Sequence, residues 1–480
     1  MTDNLKLTAR KNKVTEKLLE NEEKLVELLD GLGSPLNIVL PESIEENIEG
    51  YQEVYENHRI SGKIFLAHKA NKSEALIREA EHQGICLDVA SINELENALN
   101  NGFTGDRIEC TGPKNKRFLE LALKHGCSIH VDNFTELEQI ERLHNQLGLE
   151  NKVRIQVRMV GFMPKDRDML VKDNKFGIPI NKKDRLIDEI KSREDILEFE
   201  GLAFHLVSSN IREKVTAIDN VFDIFEEFQE AEITPKSLNI GGSQRVNYLE
   251  SSKEWSEYKQ RIKKSLKGEA EPVTWNGQGF GYKVHGDQVV GAPNLYDYYN
   301  ETAKTEYLDK LLKKEVPSRQ QTVAELLRQY MIELYIEPGR SLYDQAGVTL
   351  AKVNFVKESL KEEKLVGLDM NMTNLNTNNW ELMTDPVVIN RKERDELDDG
   401  VYFTGNLCLE NDMIYNHKTF LDKGIEEDDL VVFLNTAAYH MDFGEARTIQ
   451  KPLAEKVAVT VENGFKWVKD DKYSKTTEAE

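Results

Sequence analysis

The chain has 480 residues and lacks any run of about 18 consecutive apolar residues, the length that a membrane-spanning helix needs. Only four cysteines are present and none forms a Cys-x-x-Cys pair, so a disulfide framework, a zinc ribbon or another metal site is not expected. No secretory apolar stretch occurs near the N-terminus, which favours a cytoplasmic protein without a membrane partner. Positive charge is scarce: 63 Lys and Arg face 85 Asp and Glu, and the net charge of −22 argues against a nucleic-acid partner.

Short β-rich segments alternate with longer amphipathic helical segments through the first two thirds of the chain. The eight β-rich segments are 63–68, 85–90, 107–111, 128–132, 153–159, 200–206, 237–242 and 334–339. Eight repeats of strand and helix are typical of a closed parallel (β/α)8 barrel, and a doubly wound open sheet is the alternative. After residue 345, strand-like segments with few long helices indicate a second, mainly β domain. The predicted fold class is therefore α/β.

Three parts of the chain are predicted. Residues 1–35 form a helical segment that packs on the β domain, residues 36–345 form the barrel, and residues 346–480 form the C-terminal β domain. Between about 245 and 330 no strand is evident, and we interpret this stretch as an insertion after the seventh barrel strand. It either caps the substrate pocket, through Trp275, Tyr282 or the Tyr296–Tyr299 cluster, or forms a peripheral or dimer-contact excursion.

Polar residues collect at the ends of the predicted strands, where parallel barrels carry their active sites. They are Lys69, Asp88, Arg158, His205, Ser208, Gly241, Gly242, Ser243, Glu337 and Arg340. Lys69 could simply extend to solvent, but a desolvated lysine can also form a Schiff base with a carbonyl. A Gly-rich turn after the seventh strand is the usual place for a phosphate. Pyridoxal phosphate carries both an aldehyde and a phosphate, and Glu337 would keep its ring nitrogen protonated.

Nine segments of the sequence resemble the fold-type-III pyridoxal-phosphate decarboxylases, the group of diaminopimelate, ornithine and related basic amino-acid decarboxylases. They are GSPLNIVL (33–40), FLAHKANK (65–72), LDVASINELENAL (87–99), NKFGI (174–178), FHLVSS (204–209), LNIGGS (238–243), EPGRSL (337–342), GNLCLENDM (405–413) and DLVVFLNTAAY (429–439). The segments follow the family's order and cover most of the chain outside the insertion. The resemblance implies an alanine-racemase-like barrel, pyridoxal 5′-phosphate as cofactor, and a homodimer with shared active sites. It also implies decarboxylation of diaminopimelate, a basic amino acid or a related conjugate.

The resemblance implies a role for each matched residue. Lys69 would hold the cofactor as a Schiff base, His205 would stack on its ring, and Cys408 would come from the partner subunit and deliver a proton. The ring would absorb the carbanion left by decarboxylation because it pairs with Glu337. The residues that would contact the cofactor are Lys69, Asp88, Arg158, His205, Ser208, Gly241, Gly242, Ser243, Glu337, Arg340 and Tyr439. Of these, Ser208, Gly241, Gly242, Arg340 and Tyr439 would bind its phosphate.

The sequence departs from the family at four positions. Ser243 replaces the third glycine of the phosphate turn, and Val207 replaces a glycine of the histidine motif. Leu409 follows Cys408 where an acidic residue often stands, and Asp385 precedes a proline where diaminopimelate-type enzymes have an arginine. Both positions that would bind the distal group of the substrate are therefore altered, and the sequence does not identify the substrate. The candidate substrate contacts are Glu410, Asp412 and Asp385.

Two other functions are alternatives to decarboxylation. One is a different pyridoxal-phosphate reaction on the same scaffold, such as amino-acid racemisation. Glu337 and the motif around Cys408 speak against it, because a racemase does not need a strongly protonated ring nitrogen. The other is a non-catalytic regulatory homologue, which would have lost cofactor residues, whereas Lys69, His205 and Arg340 are all present.

Overall fold

In this computed structural model, residues 5–162, 174–376, 381–396 and 400–475 are described. The α-helices are α1 (Lys13–Leu19), α2 (Glu22–Leu32), α3 (Pro41–His58), α4 (Glu74–His82), α5 (Ile92–Asn100), α6 (Lys116–Lys124), α7 (Phe134–Leu147), α8 (Lys183–Lys191), α9 (Ile211–Glu230), α10 (Ser252–Leu266), α11 (Lys304–Lys313) and α12 (Val323–Gln329). Within these ranges, no helix combines the length and the apolar character that crossing a membrane requires.

The strands of the described ranges belong to two large sheets and two small hairpins. They are β1 (Leu36–Val39), β2 (Gly62–Ala67), β3 (Cys86–Val89), β4 (Ile108–Cys110), β5 (Ser128–Val131), β6 (Val153–Val160), β7 (Ile178–Pro179), β8 (Leu197–Ala203), β9 (Ser237–Asn239), β10 (Lys283–His285), β11 (Gln288–Val290), β12 (Glu315–Val316), β13 (Gln321–Thr322), β14 (Glu333–Ile336), β15 (Gly347–Glu358), β16 (Lys364–Leu368), β17 (Val387–Ile389), β18 (Gly400–Thr404), β19 (Thr419–Phe420), β20 (Leu430–Phe433), β21 (Glu455–Thr460) and β22 (Lys466–Lys469).

Eight parallel strands close into a barrel. Strands β2, β3, β4, β5, β6, β8, β9 and β14 pair in that order, and the ring closes where β14 pairs with β2. The register places Leu66 opposite Leu87 and Leu334 opposite Gly62. Strands β3 and β5 are buried along their whole length, because helices cover the outer face of such a barrel and side chains fill its interior. The predicted (β/α)8 barrel is confirmed.

A mainly β domain follows the barrel, as the sequence predicts, but its sheet also takes a strand from near the N-terminus. Strand β1 pairs antiparallel with β15 and parallel with β21, so residues 36–39 lie in this sheet and not in the barrel. The predicted boundary at residue 36 therefore differs from the strand pairing. The physical reason is burial: Leu36 and Ile38 are inaccessible and pack in one cluster with Leu350 and Val432. Leucines of α1 and α2 pack on the same cluster.

The predicted insertion is shorter than the sequence suggests. Helix α11 contacts α3, α9 and α12, and its Leu308 and Leu311 join the core of the barrel. Residues from 304 onward therefore belong to the barrel's helical layer, because the apolar face of α11 is buried there. The remaining insertion segment (residues 244–303) contains α10 and the β10–β11 hairpin. Its Tyr258 and Tyr298 belong to one buried apolar cluster with Phe433 of the C-terminal sheet, so the segment packs on that domain.

Candidate active site

Lys69 lies just beyond β2, in a short helical turn that spans His68–Ala70. Its Nζ donates a hydrogen bond of 3.0 Å to Oδ2 of Asp88, which is buried on β3. Thr111, next to the end of β4, donates to the other oxygen of Asp88. The Asp88 charge raises the pKa of Lys69 although burial opposes this rise. The ammonium of Lys69 is therefore held at a fixed place, while 40% of its side chain is accessible from the cavity.

The Asp88 carboxylate is stabilised as an anion by the groups around it. Burial alone would raise its pKa, but the nearby Lys69 charge and the hydrogen bonds from Thr111 and Lys69 together lower the pKa below its ordinary value. Asp88 can therefore keep a negative charge beneath a cationic nitrogen on Lys69.

Glu337 lies just beyond β14, and its carboxyl faces the same side of the barrel. Its two oxygens lie 3.9 Å from Nδ1 of His130 and 3.9 Å from Nδ1 of His205. Burial, together with the nearby acids Asp88 and Glu109, raises the pKa of Glu337 to about 7. A buried carboxyl in this condition would be stabilised as an anion by a cation such as a protonated ring nitrogen.

His205 follows β8 and borders the same cavity as Lys69. Burial, the charge of Lys214 and the charge of Lys69 lower the pKa of His205 to about 3, so its imidazole is neutral at physiological pH. Its Nδ1 accepts a hydrogen bond of 3.4 Å from the backbone N–H of Gly242. A neutral, positioned imidazole suits stacking on an aromatic ring better than a charged one would.

The Gly-rich turn after β9 has room only for glycine at two positions. A Cβ on Gly241 would lie 2.7 Å from Nδ1 of His205, and a Cβ on Gly242 would lie 2.6 Å from the carbonyl oxygen of Glu337. Gly241 and Ser243 both take a left-handed conformation, with φ of 65° and 80°. The turn thus brings backbone close to the site, which is the usual way to approach a phosphate.

Arg340 is buried beside the turn and is surrounded by tyrosines. Its guanidinium carbon lies 4.5 Å from the ring centre of Tyr296 and 5.0 Å from that of Tyr439. Its Nη1 donates to the hydroxyl of Tyr248. The space under Tyr439 is tight, because a Cβ on Gly339 would lie 2.7 Å from the Tyr439 hydroxyl. A buried, permanent cation next to a Gly-rich turn suits a bound anion.

Most of these groups border one cavity of about 830 Å³, whereas Asp88 and Gly241 are not among its lining residues in the described ranges. The residues that line it are Ala67, Lys69, His205, Val207, Gly242, Ser243, Gln244, Arg245, Trp255, Lys259, Pro293, Leu295, Tyr296, Asp297, Glu337, Gly339, Arg340, Tyr439 and Phe443. The insertion segment therefore forms one side of the cavity. Of its aromatic residues singled out in the sequence, Tyr296 lines the cavity, whereas Trp275 packs on Tyr402 and Tyr282 packs against Lys263.

Two further predicted cofactor contacts are on β6 and in the loop after β8. Arg158 is on β6, and its guanidinium carbon lies 4.8 Å from the ring centre of Phe176. Ser208 lies in the loop after β8, where its Oγ accepts a hydrogen bond of 3.1 Å from the N–H of Asn210. Neither residue is among those that line the cavity in the described ranges.

The predicted substrate contacts do not reach the cavity of their own chain in the described ranges. Asp385 is bound in the C-terminal domain, where Oδ2 accepts a hydrogen bond of 2.6 Å from the N–H of Leu7. Asp412 is buried and accepts hydrogen bonds of 2.8 Å from the N–H groups of Met372 and Leu407. Glu410 is exposed on the same loop as Asp412.

Cys408 is exposed on that loop. Leu409 beside it is also exposed, at 47%. Asp412 links this loop to another segment, because its carboxylate accepts from Leu407 within the loop and from Met372 after β16, while the tip of the loop is open to solvent.

Sequence reasoning missed several residues of the site. Thr111 directly follows a predicted strand, so the rule that active-site residues lie at strand ends could have found it. Trp255 and Tyr248 are in the insertion segment and carry no sequence signal for the cavity. Lys214 is on helix α9, and nothing in the sequence separates it from the exposed lysines of other helices. Only the fold places its ammonium behind the Gly-rich turn.

Two family models match most of the chain. The family model described as pyridoxal-dependent decarboxylase, pyridoxal binding domain, matches residues 42–276. The model described as pyridoxal-dependent decarboxylase, C-terminal sheet domain, matches residues 283–437. A diaminopimelate decarboxylase of Bacillus methanolicus is 26% identical over 450 residues, which are 92% of this chain and 90% of that protein. An uncharacterized protein of Sinorhizobium fredii is 27% identical over 89% of this chain and 88% of its own length.

Solved structures show the same fold. The diaminopimelate decarboxylase of M. jannaschii in complex with L-lysine matches with a TM-score of 0.68 and 21% identity, over 93% of this chain and 91% of that chain. The lysine/ornithine decarboxylase of Vibrio vulnificus, solved with putrescine, matches with a TM-score of 0.62 and 19% identity, over 92% and 98% of the two chains.

The barrel with its C-terminal sheet domain has the alanine-racemase-like fold of pyridoxal-phosphate enzymes. Among the enzymes with this fold, both family models describe pyridoxal-dependent decarboxylases, and the chain belongs to this family. The members are carboxy-lyases that use pyridoxal phosphate. The residues present fit this cofactor, because the site offers a lysine for its aldehyde, a buried carboxyl for its ring nitrogen and a glycine turn with an arginine for its phosphate.

Proposed function

We propose that the protein decarboxylates an amino acid of the diaminopimelate or basic class, or a related conjugate, in the cavity that Lys69 enters. The observation that carries the proposal is the convergence of Lys69, Asp88, His205 and Glu337 on one end of the barrel. When it is bound there, pyridoxal phosphate supplies an aldehyde for the substrate amine and a ring that takes up the electron pair left by carbon dioxide.

The residues of the chain would prepare this chemistry by charge and position. Asp88 would hold the Lys69 nitrogen at the place where the substrate amine must arrive, because it already binds Nζ at 3.0 Å. Glu337 would hold a proton at the ring nitrogen, since its own buried charge needs a cationic partner. Neutral His205 would cover one face of the ring and exclude water from it.

The phosphate would be bound by the Gly-rich turn and its neighbours. Gly241 and Gly242 provide close backbone, Arg340 provides a permanent positive charge, and Tyr439 lies against the Arg340 guanidinium at 5.0 Å. Ser208 would add a hydroxyl from the adjacent loop. Arg158, near the end of β6, would contact the linkage between Lys69 and the cofactor directly.

A homodimer would complete the site. Cys408 is exposed on its loop and does not line the cavity of its own chain in the described ranges. We propose that it enters the cavity of a second copy and returns a proton to the α-carbon after carbon dioxide leaves. Glu410 and Asp412 are on the same loop, so they would approach the substrate in the same way.

The insertion segment is proposed to contact the distal part of the substrate. Lys259 and Tyr296 line the cavity from this segment. Asp297, also on this side, is engaged by Nε1 of Trp255 at 2.8 Å and by Arg245 at 3.4 Å. The residues that usually bind the distal group of the substrate are replaced at Leu409 and Asp385. This side of the cavity is therefore the nearest alternative source of substrate specificity.

The test is carbon dioxide release by purified protein with added pyridoxal phosphate. The substrates are diaminopimelate, lysine, ornithine, arginine, 2,3-diaminopropionate and carboxylated polyamine conjugates. We expect release from one of them, abolished by Lys69→Ala and retained by Lys63→Ala, because Lys63 lies near the start of β2, the strand that Lys69 follows, and packs over Tyr335. Loss of optical activity at the α-carbon of the substrate, without release of carbon dioxide, would indicate racemisation instead. Failure of the wild-type protein to bind the cofactor would overturn the proposal.

A further inference from the structure

Lys214 is a completely buried lysine directly behind the Gly-rich turn. It lies in the first turn of α9, and its side chain has no solvent exposure. Its Nζ donates hydrogen bonds of 2.6 Å to the carbonyl oxygen of Ile240 and 3.0 Å to that of Gly242. These two carbonyls stand on either side of Gly241, so one ammonium fixes both ends of the turn.

The bond to Gly242 also sets the direction of the next N–H group. In a planar trans peptide the C=O and N–H groups point to opposite sides. Because the carbonyl of Gly242 points back to Lys214, the N–H of Ser243 points away from Lys214. Gly242 and Ser243 both line the cavity, so this donor is directed towards it.

Ser243 makes such support more important. Its φ of 80° is a conformation that residues with a side chain rarely adopt. A glycine at this place would take it without strain. The Ser243 hydroxyl donates to the carbonyl of Leu206, and Lys214 holds the preceding peptide, so two bonds stabilise the conformation.

A buried ammonium is costly to retain unless an anion compensates its charge. Within the described residues, no carboxylate forms a salt bridge with Lys214. Its other close neighbour is aromatic: Nζ lies 5.6 Å from the ring centre of Phe204. Burial lowers the pKa of Lys214 to about 7, although Glu337 acts in the opposite direction. Burial therefore destabilises the charged form of Lys214 in the cofactor-free protein, and a phosphate on the other side of the turn would stabilise that charge.

We propose that Lys214 is a positioning residue for the phosphate of the cofactor. It anchors the carbonyls of Ile240 and Gly242, directs the N–H of Ser243 to the phosphate, and places a positive charge behind the turn. The inference rests on the proposed phosphate role of residues 241–243. It adds a residue from helix α9 to a site otherwise built from strand ends and the loops after them.

The experiment compares two ligands that differ only in the phosphate. Dissociation constants of cofactor-free protein for pyridoxal phosphate and for pyridoxal are measured by equilibrium dialysis. For Lys214→Met we expect the Kd of pyridoxal phosphate to rise at least tenfold, while the Kd of pyridoxal changes less than twofold. Lys214→Gln keeps a hydrogen-bond donor without the charge, and we expect an intermediate effect. Lys214→Arg, which retains the charge, should keep most of the preference for the phosphorylated ligand.

Lys114→Met is the matched control. Lys114 is also fully buried and donates hydrogen bonds of 2.7 Å to the carbonyls of Gly112 and His130, but at another strand end. Its replacement should alter both dissociation constants by the same factor. An equal loss for both ligands in the Lys214 variants would reduce Lys214 to a structural role and overturn the inference. If Lys214→Met does not fold, Lys214→Gln decides by the same ratio. A wild-type protein that binds neither ligand would overturn the proposed function itself.

Discussion

Glu337 lies in the candidate active site, and its buried carboxylate lowers the stability of the folded protein at neutral pH. The pKa of its carboxyl is raised from 4.5 to about 7 by burial and by the neighbouring charges of Asp88 and Glu109. Between these two pH values the folded protein keeps a proton that the unfolded chain has already released. The free energy of unfolding of the cofactor-free protein therefore falls as pH rises from about 4.5 to about 7.

Replacing Glu337 by Gln should remove this loss. At pH 8 we expect cofactor-free Glu337→Gln to be more stable than the wild-type protein by about 1–3 kcal/mol, and at pH 4 to be equally stable. Denaturant unfolding at both pH values measures the difference. Glu200→Gln is the control, since Glu200 is another buried glutamate of the barrel but binds Ser128 and Arg154. A stability gap that is the same at both pH values would contradict the prediction.

The same substitution should damage catalysis. A glutamine cannot hold a proton at the ring nitrogen, so with cofactor added we expect turnover to fall by about a hundredfold or more. A variant that gains stability and loses turnover would separate the two effects of one buried carboxyl.

At the scale of helices and strands, the barrel could be predicted because its strands are short apolar runs between amphipathic helices. The segments around Phe65 and Leu87 show this pattern directly. Strand β1 looks the same in sequence, but its partner β15 lies more than 300 residues away, and local patterns carry no information about such pairing. For helix α11 the sequence shows the apolar face but not the surface that this face covers, so the sequence alone assigns the helix to the insertion.

The site could be predicted to the extent that it depends on strand ends. Lys69 and Glu337 lie where the strand pattern puts them. Asp385 could not be placed, because its bond to Leu7 depends on how the N-terminal residues cross the C-terminal sheet. Lys214 could not be found, since only the packing of α9 on the barrel directs its ammonium to the turn.

The insertion segment permits a test of specificity. Lys259 lines the cavity from α10, with Nζ 5.1 Å from the ring centre of Trp255. For a substrate that ends in a carboxylate, we expect Lys259→Ala to raise KM about tenfold and leave kcat nearly unchanged, because a charge-assisted contact is lost in the ground state and transition state alike. Lys253→Ala, on the exposed side of the same helix, is the control. An unchanged KM for every substrate would show that this side of the cavity is peripheral.

At the scale of the whole molecule, the proposed role of Cys408 makes the oligomeric state part of the proposed mechanism. If each cavity takes Lys69 from one copy and Cys408 from the other, a heterodimer of Lys69→Ala and Cys408→Ala subunits contains one intact site and one doubly altered site. Random mixing of the two inactive proteins, after dissociation and reassociation, should then restore about a quarter of the wild-type sites. Carbon dioxide release against mixing ratio measures the recovery, with a maximum at equal amounts. If both residues act within one chain, no mixture can contain an intact site, and activity would stay at the sum of the separate variants.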